Sequence, residues 1–221
     1  MKKIVLISVI LIIVLAILAG FYIFNKNKLS VVPPEDIPQN DEPSEASDQN
    51  ELLADNQTEM DDAAKERNKL VTDDFSMDLP VGWSKTQNTM AEVTAMAANM
   101  NEDIGDAAAQ AINFKSYLAV SSDLLQGKTM DEYMSSVKSE LQTAVPGIIF
   151  TNENSLTING KPTRAIEAEM TQQGVNFKVL IVVVQSDDAE VWVMSYNTVK
   201  SSWDEYKEDF SESARSFVIK K

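Results

Sequence analysis

The chain has 221 residues, a net charge of −15, and neither histidine nor cysteine. That composition excludes disulfides, thiol catalysis, thiolate zinc sites, histidine-ligated haem and every catalytic triad built on an imidazole base. The acidity sets the chain against phosphate backbones, so nucleic acid is not an expected partner.

Residues 4–24 follow Met1-Lys2-Lys3 and contain no charge. As a helix they would be about 31 Å long, against about 30 Å of bilayer hydrocarbon. A cleaved signal peptide would have a shorter apolar run and small residues at −3 and −1. Cleavage after Ala19 or Gly20 would put Ile17 or Leu18 at −3. The run therefore reads as an uncleaved signal anchor, residues 1–24. It predicts a single-pass cell-membrane protein whose C-terminal domain lies outside the cytoplasm.

Residues 25–72 contain Pro33, Pro34, Pro38 and Pro43 among acids and amides. With so little to bury, this stretch reads as a disordered acidic linker. A short charged helix over residues 59–70 is the other reading, with Asp61 and Lys65 four apart. The globular domain is expected at residues 73–221.

Phe75, Met77 and Leu79 alternate with Ser76 and Asp78 as a first strand. Pro80 and Gly82 turn it, and Trp83 follows as a core plug. The spacing leaves residues 89–112 open between strand and helix. Residues 114–120 alternate as a strand. Thr129-Met130-Asp131-Glu132 is a capping box. Met130, Met134, Val137, Leu141 and Ala144 then line one helical face, which Pro146-Gly147 ends. Residues 148–158 and 164–171 form a hairpin about Asn159-Gly160, because a two-residue turn needs positive φ at both positions.

The next strand, 175–184, is the most apolar stretch outside the N-terminus and reads as the central strand of the sheet. Alternating side chains would bury both of its faces, so each face needs a covering layer. Asp187-Asp188 turns into residues 191–199. A second capping box, Ser202-Trp203-Asp204-Glu205, opens a helix with Trp203, Tyr206, Phe210, Ala214 and Phe217 on one face. Val218 and Ile219 end as a short strand or a packed tail. The fold class is α+β: an α/β/α sandwich with a central antiparallel sheet.

The order of pieces F-S-M-D-L-P-V-G-W (75–83), T-M-D-E-Y (129–133), L-T-I-N-G-K-P (156–162) and A-R-S-F (214–217) resembles the Mog/PsbP-like superfamily. It is most similar to the small bacterial PsbP-related domains exported on anchors. The resemblance covers residues 73–221 and implies the same sandwich. It also implies a non-enzymatic role: one type assists the oxygen-evolving side of photosystem II, and another binds a small nuclear GTPase. No motif here matches their partner-binding residues, so none is carried over.

Several constellations compete with plainer explanations. Ser135-Ser136-Val137-Lys138 fits S-x-x-K, but S-D-N and K-T-G are absent and Ser135 and Lys138 sit on an ordinary helix. Asn99, Asn101 and Asp103 are spaced like a calcium loop, but Ile104 stands where glycine belongs and Gln110 where glutamate belongs. Glu167 and Glu169 share a strand face and could flank a sugar; an outward, solvated face explains them more simply. Asp61-Asp62, Asp73-Asp74 and Asp187-Asp188 read as solvated turns, and Trp83, Trp192 and Trp203 as core anchors. No catalytic, cofactor-binding or metal residue is assigned, and no cofactor is expected. The leading reading is a membrane-tethered, non-catalytic binding module for an unknown protein or small ligand. An envelope hydrolase or carbohydrate-active enzyme using carboxylates or Ser135/Lys138 is the alternative, and a calcium-responsive domain a second.

Overall fold

The computed structural model describes residues 69–87, 93–187 and 189–220. The expected anchor at 1–24 and the linker up to residue 68 lie outside them. No described helix is long and apolar enough to cross a membrane.

Among the described residues, ten strands and three helices follow in order: β1 (Lys69–Val71), β2 (Phe75–Asp78), β3 (Ser84–Lys85), β4 (Ala95–Ala98), α1 (Ala107–Ala111), β5 (Tyr117–Leu124), α2 (Met130–Ala144), β6 (Ile149–Ile158), β7 (Lys161–Gln172), β8 (Val175–Gln185), β9 (Glu190–Val199), α3 (Trp203–Arg215) and β10 (Val218–Ile219). A 3-10 turn at Lys200–Ser202 leads into α3. The class is α+β, with a large antiparallel sheet and few helices.

The large sheet runs β3-β4-β5-β9-β8-β7-β6. The middle of the seven positions belongs to β9, and β8 lies beside it; the apolar run is buried but not central. Apolar composition marks burial on both faces and does not distinguish the middle strand from its neighbour. β9 is buried as fully while carrying Ser195, Asn197 and Thr198.

Strand alternation sorts β8 into two cores. Val175, Phe177, Val179, Ile181 and Val183 join Met130, Tyr133, Met134, Val137 and Leu141 of α2. Leu180, Val182 and Val184 join Trp203, Tyr206, Phe210 and Ala214 of α3. Each longer helix thus buries its apolar stripe in a different core, which is why β8 has no polar face to spare.

The Asn159-Gly160 turn has φ of 47° and 79°, as its sequence requires. Thr129 and Glu132 form both halves of the capping box on α2. The box expected at Ser202 does not form. The chain enters α3 through the 3-10 turn, so Ser202 is already helical at φ −94°, ψ 0° and makes no side-chain cap. An N-cap hydroxyl reaches back only from extended backbone.

The open segment 89–112 contains β4 and α1; residues 88–92 are outside the described set. β5 starts at Tyr117 rather than Phe114 and continues to Leu124. Asn113 adopts φ 51°, which breaks the extended chain just before Phe114.

A second sheet, β1-β2-β10, packs against the α3 side. It begins at Lys69, four residues ahead of the boundary that composition suggests at 73. Ser213 Oγ donates to the Asp78 carbonyl at 2.6 Å, and Asp78 N–H donates to Ser216 Oγ at 2.8 Å. Those bonds tie the end of α3 to β2. Asn159 Nδ2 donates to the Phe217 carbonyl at 2.7 Å and joins the hairpin tip to the same region.

Candidate functional site

β7 and β8 are joined by a two-residue turn, which places Glu169 directly opposite Lys178 and Glu167 opposite Leu180. Glu167, Glu169 and Lys178 all project on the α3 side of the sheet. Lys178 Nζ lies 3.0 Å from Glu167 Oε2 and 3.7 Å from Glu169 Oε1. Lys200, on the 3-10 turn, pairs with Glu169 at 2.6 Å. Trp203, the first residue of α3, covers Lys178, whose Nζ is 4.5 Å from the ring centroid. Asn152 Nδ2 on β6 donates to Glu167 Oε1 at 3.1 Å.

This is a neutral, half-buried ionic cluster of two carboxylates and two ammoniums. The solvated outward face expected for Glu167 and Glu169 is therefore corrected. Their side chains are 21% and 23% exposed, and Lys178 is 14% exposed. The Lys200 hydrogen bond, with the Lys200 and Lys178 charges, holds the Glu169 carboxyl below its usual range. The cluster was countable from sequence: Lys178 is the one charge inside the apolar run, and the turn at Gln173-Gly174 fixes its partner.

A second polar centre pins the 99–106 segment. The Glu102 carboxylate accepts from Ser116 N–H at 2.7 Å and Ser116 Oγ at 2.8 Å. Ser116 Oγ is also 2.8 Å from Thr198 Oγ1. Asn99 Nδ2 donates to the Tyr206 hydroxyl at 3.1 Å, and Lys115 Nζ donates to the Glu102 carbonyl. Burial is the largest effect raising the Tyr206 hydroxyl pKa. A third centre sits under α2, where the Tyr133 hydroxyl donates to Asp123 Oδ2 at 2.9 Å. Burial also raises the nearby Glu140 carboxyl. Ser116 and Thr198 are fully enclosed, so their hydroxyls cannot reach a substrate.

The residues singled out by motif are not brought together as sites. Ser135 Oγ donates to its own helix at the Asp131 carbonyl, 2.8 Å. Lys138 pairs with Glu153 on β6 at 2.7 Å. Asn99 is turned to Tyr206, its Oδ1 accepts from Asn101 N–H, and Gln110 Nε2 donates to the Ile104 carbonyl. Among the described residues no group of three acids that could hold a metal occurs. Asp187 Oδ1 caps its own turn, accepting from Ala189 and Glu190 N–H groups. Trp83, Trp192 and Trp203 are core residues at 2%, 5% and 8% exposure. The outer side of α3 and the β6 edge remain exposed.

No protein-family model and no curated protein matches the chain. Solved structures do. LpqN of Mycobacterium tuberculosis is 12% identical with a TM-score of 0.53, covering 66% of this chain and 83% of its own. The cyanobacterial PsbP (CyanoP) of Synechocystis sp. PCC 6803 is 16% identical with a TM-score of 0.49, covering 69% and 91%. The Ran-binding protein Mog1p of Saccharomyces cerevisiae is 15% identical with a TM-score of 0.45, covering 66% and 89%. The likeness to LpqN is one of fold.

Proposed function

We propose that this chain is a membrane-tethered, extracytoplasmic, non-catalytic binding module. One observation carries the reading: the side chains nominated for chemistry are spent on their own fold. Ser135 bonds its helix, Lys138 holds Glu153, and Glu167 and Glu169 are occupied by Lys178 and Lys200. A catalytic nucleophile needs a base within hydrogen-bond reach and open to substrate; Ser135 Oγ is bonded to the Asp131 carbonyl, and Ser116, although 2.8 Å from the Glu102 carboxylate, is fully buried. The tether rests on the charge-free run at residues 4–24. The described involvement of LpqN in cell envelope biogenesis supports an envelope role.

The cysteine-free sequence makes location easy to test. A single Lys85→Cys variant on the exposed β3 should react with a membrane-impermeant maleimide in intact cells. Labelling only after lysis would overturn the extracytoplasmic placement. Proximity labelling from the domain in its native cell should enrich specific neighbours over an anchor-only control. No enrichment would overturn the binding role.

A further inference from the structure

The large sheet ends on one side at β3, two residues long, and on the other at β6, ten residues long. Short edges protect a sheet from strand addition; long ones invite it. The turn at Asn159-Gly160 makes Ile158 and Lys161 a hydrogen-bonded pair, so alternation fixes the rest. Ile158, Leu156, Asn154 and Asn152 turn their backbone groups toward β7. Thr157, Ser155 and Glu153 turn theirs outward, where no strand lies among the described residues. The irregularity between Phe150 and Asn152 ends the regular edge at its start.

We propose that β6 is a dimerisation edge, pairing antiparallel with β6 of a second copy and placing Ser155 on the two-fold axis. The charge pattern selects a second copy. β6 is a nearly neutral strip on an acidic domain: it carries one charged residue, Glu153, and Lys138 already neutralises it. With Ser155 opposite Ser155, Glu153 faces Thr157 of the other chain, and three outward residues per chain exchange hydrogen bonds. Centring the pair on Glu153 would oppose two carboxylates, which is unfavourable. A cationic partner would instead be drawn to α3, whose outer side carries Asp204, Glu205, Glu208, Asp209 and Glu212. The pairing does not depend on the binding role proposed above, so either can fail alone.

The test uses the full chain in detergent. Residues opposed in a hydrogen-bonded pair have Cα atoms about 5.5 Å apart, within disulfide reach. Under mild oxidation Ser155→Cys should give about tenfold more disulfide-linked dimer than Thr143→Cys, a control at the exposed end of α2. Ser155→Pro deletes an outward N–H and spares the β6–β7 ladder. It should sediment as a monomer at concentrations where the unsubstituted chain forms dimers, with circular dichroism unchanged. Equal cross-linking of Ser155→Cys and the control would overturn the proposal. So would slow hydrogen exchange at Glu153, Ser155 and Thr157 in a monomeric chain, which would mean that another segment or partner covers the edge.

Discussion

Replacing Lys178 by Met isolates what the ionic cluster contributes. The Met side chain keeps most of the stem packing and removes the charge. Two carboxylates then lose a partner at 3.0 and 3.7 Å, and the Trp203 ring loses its cation at 4.5 Å. Breaking a fully buried pair costs about 3–5 kcal/mol, and an exposed pair about 0.2–1 kcal/mol. Exposures of 14–23% put the carboxylate loss between these, at about 1–1.5 kcal/mol. The cation–π contact adds about 0.5–1 kcal/mol. The total is about 2 kcal/mol, or a urea midpoint lower by about 1 M at a slope of about 2 kcal/mol/M. In a Glu167→Gln/Glu169→Gln background no carboxylate is orphaned, and the same substitution should cost only the ring contact. The double-mutant cycle should therefore return a coupling of about 1 kcal/mol. Equal costs in the two backgrounds would refute the cluster as an energetic unit and leave Lys178 as a packing residue.

Three further outcomes follow from the same geometry. Glu169 has its folded pKa depressed by Lys200 and Lys178, so its contribution is present above the unfolded value of about 4.3 and lost as pH falls through the folded one. Urea midpoints of the parent and Glu169→Gln should converge as pH is lowered from 5 to 3; a constant gap would count against the assignment. Phe210 is fully buried and its ring lies 4.9–6.1 Å from Trp83, Tyr196, Trp203 and Tyr206. Phe210→Ala should cost about 3–5 kcal/mol and lower Tm by about 10–15 °C in a calorimetric scan. Lys138→Ala loses only a pair whose side chains are 29% and 48% exposed, so its midpoint should shift by less than about 1 kcal/mol, and any turnover found for the chain should survive it.

Periodic features were legible in the sequence because their signals are local. α2 was marked by a capping box and a 3-4 spacing, and the β6–β7 hairpin by Asn159-Gly160, whose φ values permit little else. The two faces of β8 followed from alternation alone. What escaped was long-range. β2 and β10 pair across more than 130 residues, with Val218 opposite Ser76, and no pattern within either strand announces a second sheet. β1 escaped because Lys69-Leu70-Val71 sits beside acidic linker composition and is fixed only by pairing with β2. The Ser202 box failed for the opposite reason: the local motif was present, but the backbone arriving from β9 was already helical. Alternation puts Glu167 and Glu169 on one face, but their burial depends on the β7–β8 register that sets Lys178 opposite Glu169.

The placement of charge makes a last prediction with two opposing parts. Asp204, Glu205, Glu208, Asp209 and Glu212 stand at three- and four-residue spacings on α3, and among the described residues the ion pair on that surface is Lys207–Asp204 at 2.8 Å. Like charges at such spacings destabilise a helix by about 0.2–0.5 kcal/mol a pair. α3 is therefore held by Trp203, Tyr206, Phe210 and Ala214 on its inner side, against the repulsion on its outer side. Raising sodium chloride from 10 to 150 mM shortens the Debye length from about 30 Å to about 8 Å. That relieves the exposed repulsion, while the half-buried Lys178 cluster is screened less. Relief wins by about 1 kcal/mol, so Tm should rise by about 2–4 °C over that range. In a variant with Glu205 and Glu208 both changed to Gln the rise should shrink. A Tm that falls with salt would mean that attractive pairs, rather than α3's acidic side, dominate the surface electrostatics.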